Sequence, residues 1–169
     1  MSLIASVDVP FRGVSPSELL RATRDNPART ADGFSVRITQ GFHADHRAID
    51  IAAIIGTPVY APHSGAVDVA GEYGGCGYTI RIERRNMRSA LCHLSQTLVP
   101  VGTFVRQGQL IGRSGDSGTT RGAHLHWQLS IDGSLVNPLD VLRASHMQAY
   151  LIGTLAAAAA AGTLYLAWR

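Results

Sequence analysis

Apolar and polar residues alternate along Phe34–Ile38, Ala66–Ala70, Tyr78–Ile82 and Leu125–Ile131. A period of two puts successive side chains on opposite faces of an extended chain, so each run predicts a strand with one buried face. Glycines punctuate the runs at Gly71, Gly74, Gly75, Gly102, Gly108, Gly112, Gly115 and Gly118, where turns are expected. Ahead of Pro138, a helix is predicted only near the start. Ser15 caps it, Pro16 suits its first position, Glu18 completes a capping box, and Pro27 stops it near Arg24 or Asp25. No long helical pattern lies between the first strand and Pro138, and Pro138–Ala144 reads as a short helical turn. The pattern therefore predicts an all-β chain, built as an antiparallel sheet, sandwich or barrel with a short N-terminal helix.

The pattern changes at the C-terminus. The twenty residues Ala149–Trp168 carry no charge and include the run Ala156–Ala161. A helix of that length measures about 30 Å, the thickness of a bilayer core. Tyr150 lies at one end, Tyr165 and Trp168 at the other, and Arg143 and Arg169 bracket the segment. A C-terminal transmembrane helix is the expectation, against an Ala-rich helix packed on the domain or a free tail. Leu3–Val7 has no preceding positive charge and is interrupted by Asp8 and Pro10, so no secretory signal is read there. The expected division is an N-terminal segment over 1–33, a β domain over 34–145 and a membrane anchor over 146–169.

Composition narrows the classes. With 169 residues, 46% hydrophobic and 16% charged, the chain can bury a core and is not disordered. All fifteen basic residues are arginine, but a net charge of +3 is too small to argue for nucleic acid as a partner. Arg81, Arg84, Arg85 and Arg88 form a local basic cluster, read as the solvated tip of a hairpin. Cys76 and Cys92 lack C-x-x-C spacing and read as free thiols or a disulfide rather than metal ligands.

Candidate chemistry lies in the seven histidines. His46 and Asp50 are four residues apart, and His124 and His126 are two apart. On a helix only the first pair would share a face, whereas on strands both pairs do. Two imidazoles and a carboxylate make a three-ligand zinc set that leaves a fourth position open, the arrangement of catalytic rather than structural zinc. Such a site acidifies water and polarises a carbonyl. His43 and His63, in expected loops or turns, and His146, before the tail, default to roles outside catalysis.

The stretch His46-Arg47-Ala48-Ile49-Asp50, continuing through Gly56-Thr57-Pro58-Val59-Tyr60-Ala61-Pro62 to Gly65, resembles the first signature of the lysostaphin/LytM-type zinc endopeptidases. Cys92-His93-Leu94-Ser95, the spaced glycines from Gly102 to Gly118, His124-Leu125-His126-Trp127 and Asn137-Pro138 follow in that family's order. The resemblance covers about Phe34 to Leu142. It implies an antiparallel β fold, with His46, Asp50 and His126 as ligands of one zinc ion and His93 and His124 as the catalytic histidines. Ala48 stands where the family usually has glycine, and Leu91-Cys92 where it often has Tyr-Ala. Neither departure is at a ligand position.

What the resemblance implies is a peptidoglycan hydrolase acting on peptide stems or cross-links. The alternatives are a non-catalytic domain of the same type that regulates other wall enzymes, or a structural membrane protein of a virion. Combined with the uncharged tail, the expected setting is a single-pass anchor in lipid, in a phage virion membrane or a bacterial cell envelope, with use at entry or lysis.

Overall fold

The computed structural model describes residues 7–145 and 147. The expected membrane anchor and His146 lie outside them; among the described residues no helix is long and apolar enough to cross a membrane. The chain opens with helix α1 (Pro16–Arg21). Ser15 Oγ accepts from the Glu18 amide and the Glu18 carboxylate accepts from the Ser15 amide, the reciprocal cap that the sequence predicts. The helix ends three residues short of Arg24. Its end is local: the Ala22 amide turns back to Leu19 O, and Thr23 and Asn26 bind each other through a tight turn before Pro27.

Among the described residues, eleven strands follow: β1 (Ala28–Arg29), β2 (Ser35–Gln40), β3 (Ile49–Ala52), β4 (Pro58–Tyr60), β5 (Gly65–Glu72), β6 (Tyr78–Arg84), β7 (Met87–Thr97), β8 (Phe104–Val105), β9 (Leu110–Ser114), β10 (His124–Ile131) and β11 (Ser134–Val136). The pairing is antiparallel throughout, in the order β1-β2-β3-β10-β7-β6-β5-β8, with β11 on β10 and β9 bridging β4 and β7. Residues 138–145 are helical, and their Leu142 is buried against the core.

β10 and β3 form the middle of the site. Along β10, Leu125, Trp127 and Leu129 are buried while His124, His126 and Gln128 are only partly covered. Ile49 and Ile51 of β3 join the same core, and Asp50 faces the other way. Each large aliphatic side chain so buried contributes about 1.5–3 kcal/mol, which pins the register and with it the polar face. The N-terminal segment belongs to this core as well: Val9, Phe11, Val14 and Leu19 are buried in it, the Asp8 amide donates to Pro62 O, and the Tyr60 amide donates to Pro10 O.

The basic cluster divides differently from expectation. Arg81 lies inside β6, not at a tip, and holds Asp68 through Nε and Nη2 at 2.7–3.0 Å. Arg88 pairs with Glu83 across the hairpin, and exposed Arg84 and Arg85 lie at the end of β6 and in the turn that follows.

Candidate metal centre

Asp50 and His126 are direct cross-strand partners in the β3–β10 ladder, and His124 pairs with Ala52 two positions along. Their side chains emerge on the same face because the register is even. His126 Nδ1 lies 2.8 Å from Asp50 Oδ1, and His124 Nε2 lies 3.7 Å from the same oxygen. His46 arrives differently from the expected strand. It sits in a tight turn closed by mutual backbone hydrogen bonds with His43, and Ala48 bends the chain before β3 begins. The turn still brings His46 Nε2 to 3.2 Å from Asp50 Oδ1 and 3.4 Å from His126 Nδ1.

The hydrogen bonds orient the rings. A carbonyl oxygen only accepts, so a ring nitrogen bound to one carries the proton. His46 Nδ1–H donates to Gly41 O, His93 Nδ1–H to Ser117 O and His124 Nδ1–H to Gly122 O, at 2.8–3.0 Å. In the neutral rings this leaves each Nε2 with a free lone pair. For His46 and His124 that lone pair points toward Asp50; His93 packs on the rings of His124 and His126, with centroids 4.7 and 5.7 Å away.

The His46 Nε2, Asp50 Oδ1 and His126 Nδ1 atoms therefore crowd one another with more lone pairs than protons. A cation among them would remove that repulsion, and two imidazoles with one carboxylate suit zinc. Burial pushes the Asp50 carboxyl up, but the His126 hydrogen bond and the nearby His126, His124 and His46 rings outweigh it and hold it below its ordinary value. Asp50 thus stays ionised, as a ligand must.

His93 reaches this face through a β-bulge. Between the pairs Ile80–Leu91 and Tyr78–Leu94, two residues of β7 oppose one of β6. Simple alternation from Leu91 would send His93 into the core. Instead His93 takes a left-handed backbone, φ 61°, and turns beside the other histidines. Burial is the main influence that lowers its pKa, helped by His124 and His126 and opposed by the Ser117 hydrogen bond and Asp50, so it is disposed to be neutral.

The structure thus brings together all five residues singled out from the sequence. His43 stays at the exposed rim, with its ring 5.6 Å from that of His46. His63 is fully buried beneath the sheet, bound to Ser64 O and Ser89 Oγ. Cys76 and Cys92 form a disulfide. Ser117, which holds His93, was not anticipated; its only sequence signal is its place among Gly115, Gly118 and the loop glycines.

Known proteins share this arrangement of sequence. Residues 44–138, more than half of the chain, match the model of peptidase family M23. An uncharacterised metalloprotease of Haemophilus influenzae is 41% identical over 98 residues, which are 57% of this chain and 21% of that protein. The peptidoglycan DD-endopeptidase ShyA of Vibrio cholerae is 38% identical over 97 residues, 57% of this chain and 23% of that protein. The matched segment is thus under a quarter of the length of these relatives. The catalytic domain of the antimicrobial peptidase lysostaphin from Staphylococcus simulans superposes with a TM-score of 0.55 at 34% identity, over 58% of this chain and 79% of that one.

Proposed function

The chain belongs to peptidase family M23, and from that premise we propose that it is a zinc-dependent endopeptidase hydrolysing peptide stems or cross-links of bacterial peptidoglycan. The observation that carries the reading is the convergence of His46 Nε2, Asp50 Oδ1 and His126 Nδ1 beside two further imidazoles. These three residues would hold one zinc ion. When bound, zinc supplies a Lewis acid that polarises the scissile carbonyl and makes water more acidic.

The remaining chemistry belongs to the chain. His93 and His124 each have Nδ1–H fixed on a backbone carbonyl, so each offers Nε2 for proton transfer without turning its ring. One accepts the proton of the attacking water. That proton, now on its Nε2, can pass to the departing amine, and the other ring, in its imidazolium form with Nε2 also protonated, stabilises negative charge on the former carbonyl oxygen. His126 would serve as a ligand through Nδ1, the atom nearest Asp50, with its proton then on Nε2.

The test is metal analysis of the purified full chain alongside its action on isolated sacculi. One equivalent of zinc, and hydrolysis that chelator removes and added zinc restores, are expected. A chain that binds no zinc, or that cleaves sacculi equally in excess chelator, would refute the proposal. The uncharged run Ala149–Trp168 supports a lipid anchor as part of this reading, in a phage virion membrane or a bacterial envelope. Expression with and without residues 146–169 tests it: only the full chain should pellet with membranes and resist salt extraction.

A further inference from the structure

We propose that the Cys76–Cys92 disulfide is a redox-controlled support for His93, holding the imidazole in the site when oxidised and releasing it when reduced. The inference rests on the activity proposed above, and it concerns how that site is regulated.

The disulfide joins the two backbone segments that jointly hold His93. Cys92 immediately precedes His93 at the bulge, and Cys76 immediately precedes Gly77 at the end of the 3-10 turn Gly74–Cys76. Ser117 stands between the segments. Its Oγ accepts from the Tyr78 amide on the Cys76 side and donates to Leu94 O on the Cys92 side. Its carbonyl accepts from His93 Nδ1. The Thr119 amide adds a hydrogen bond to Gly75 O, and a Cβ on Gly77 or Gly118 would overlap the other segment's backbone. The closed ring therefore runs from Cys76 through Tyr78, Ser117 and His93 to Cys92.

His93 depends on that ring. A left-handed backbone is unfavourable for a residue with a Cβ and persists where its surroundings enforce it. Without the covalent tie, the glycine-rich Gly74–Gly77 segment is held to the Ser117 loop and β7 by non-covalent contacts alone: the Thr119–Gly75 hydrogen bond, the close Gly77–Gly118 approach and the Tyr78–Leu94 pair. The tie is reachable. Cys76 and Cys92 line a surface groove of about 240 Å³ on the site face of the sheet, with Tyr73, Thr79 and Gln128, and Cys76 is only partly buried. A dithiol is a sufficient reductant. One thiolate attacks Cys76 Sγ and displaces Cys92, which takes a proton. The second thiol then closes the reductant's own disulfide and frees Cys76, so two electrons and two protons reach the pair.

The experiment compares the full chain, zinc-loaded, in its oxidised form, after reduction with a water-soluble phosphine, and as Cys76→Ser. A phosphine, itself oxidised to its oxide, brings no thiolate to the metal. Two readouts are needed: the ring-nitrogen NMR signals of His93 at alkaline pH, where the imidazoles are neutral, and kcat and KM on peptidoglycan fragments. In the oxidised chain His93 should show a single Nδ1–H tautomer. Reduction and Cys76→Ser should each give mixed tautomers and lower kcat about tenfold, with KM and zinc content unchanged, as for loss of an outer hydrogen-bond partner. Unchanged tautomer and kcat in both reduced forms would overturn the proposal. Absence of hydrolysis by the oxidised chain would overturn the proposed activity instead, and the NMR comparison would still decide the role of the disulfide.

Discussion

The two faces of β10 carry histidine chemistry of opposite kinds. Behind the core face, His63 Nδ1–H donates to Ser64 O, Ser89 Oγ–H donates to His63 Nε2, and Trp127 Nε1–H donates to the same Ser89 oxygen. Every polar atom in that chain has a partner, and nothing is left for a ligand. On the other face, His46, His124 and His126 all turn ring nitrogens toward one carboxylate oxygen of Asp50. A histidine with both nitrogens bonded inside the core is structural, whereas ring nitrogens converging on one carboxylate form a set that a cation can complete. The contrast shows that residue type alone does not mark the site. Fully buried His63 and partly exposed His126 lie on opposite sides of one sheet.

The largest effects should come from the ligand side. His126→Ala or Asp50→Ala should lose zinc and reduce hydrolysis of peptidoglycan to background, while the unfolding midpoint of the metal-free chain shifts little, because both side chains are outside the core. Zinc analysis together with thermal denaturation checks this. His93→Ala should retain zinc yet lose about 100- to 10,000-fold in kcat, the range for a general acid or base. Equal loss of zinc in that variant would make His93 a ligand and erase the distinction drawn within the site.

The core side predicts the reverse. Ser89→Ala leaves both His63 Nε2 and Trp127 Nε1 buried without their partner, at a cost of about 1–3 kcal/mol for each such group. Denaturant unfolding should reveal the loss, and kcat per folded molecule should stay near that of the parent.

A smaller, pH-dependent effect separates the two faces further. Burial lowers the pKa of His63, with Arg84 adding to it and the Ser64 hydrogen bond opposing. Protons then bind the unfolded chain before the folded one, so stability falls as pH drops below about 6.5 and is insensitive to this group above it. His93 shifts in the same direction. In excess chelator, His63→Gln should therefore flatten the decline of the unfolding midpoint with falling pH without abolishing it. An unchanged slope would mean that His63 titrates alike in the folded and unfolded chains.

Local signals made much of this legible in the sequence. The capping box of α1 involves residues three apart, and the alternation of β10 reflects a strand with one face in the core. The family resemblance names the five residues whose side chains converge on one face. What escaped depends on contacts distant in sequence or on broken periodicity. β7, the longest strand, was not among the alternating runs because Ser89 is polar yet buried and the bulge at Cys92–His93 interrupts the period. Its place in the fold is set by pairing with β6 and β10. The even spacing of His46 and Asp50 predicts one continuous strand, but the chain forms a turn and a bend there that give the same convergence. The role of Ser117 depends on Tyr78, Leu94 and His93, none of them a sequence neighbour.

The central claim is that the converging histidines and Asp50 make this chain a metal-dependent hydrolase of wall peptides. The most direct measurement is mass spectrometry of fragments released from purified peptidoglycan by the full chain and by His126→Ala. The account predicts peptides cut with the gain of one water, released by the zinc-loaded parent and absent with His126→Ala or with chelator. Intact peptidoglycan after incubation with the zinc-loaded parent, or the same fragments from His126→Ala in chelator, would contradict it.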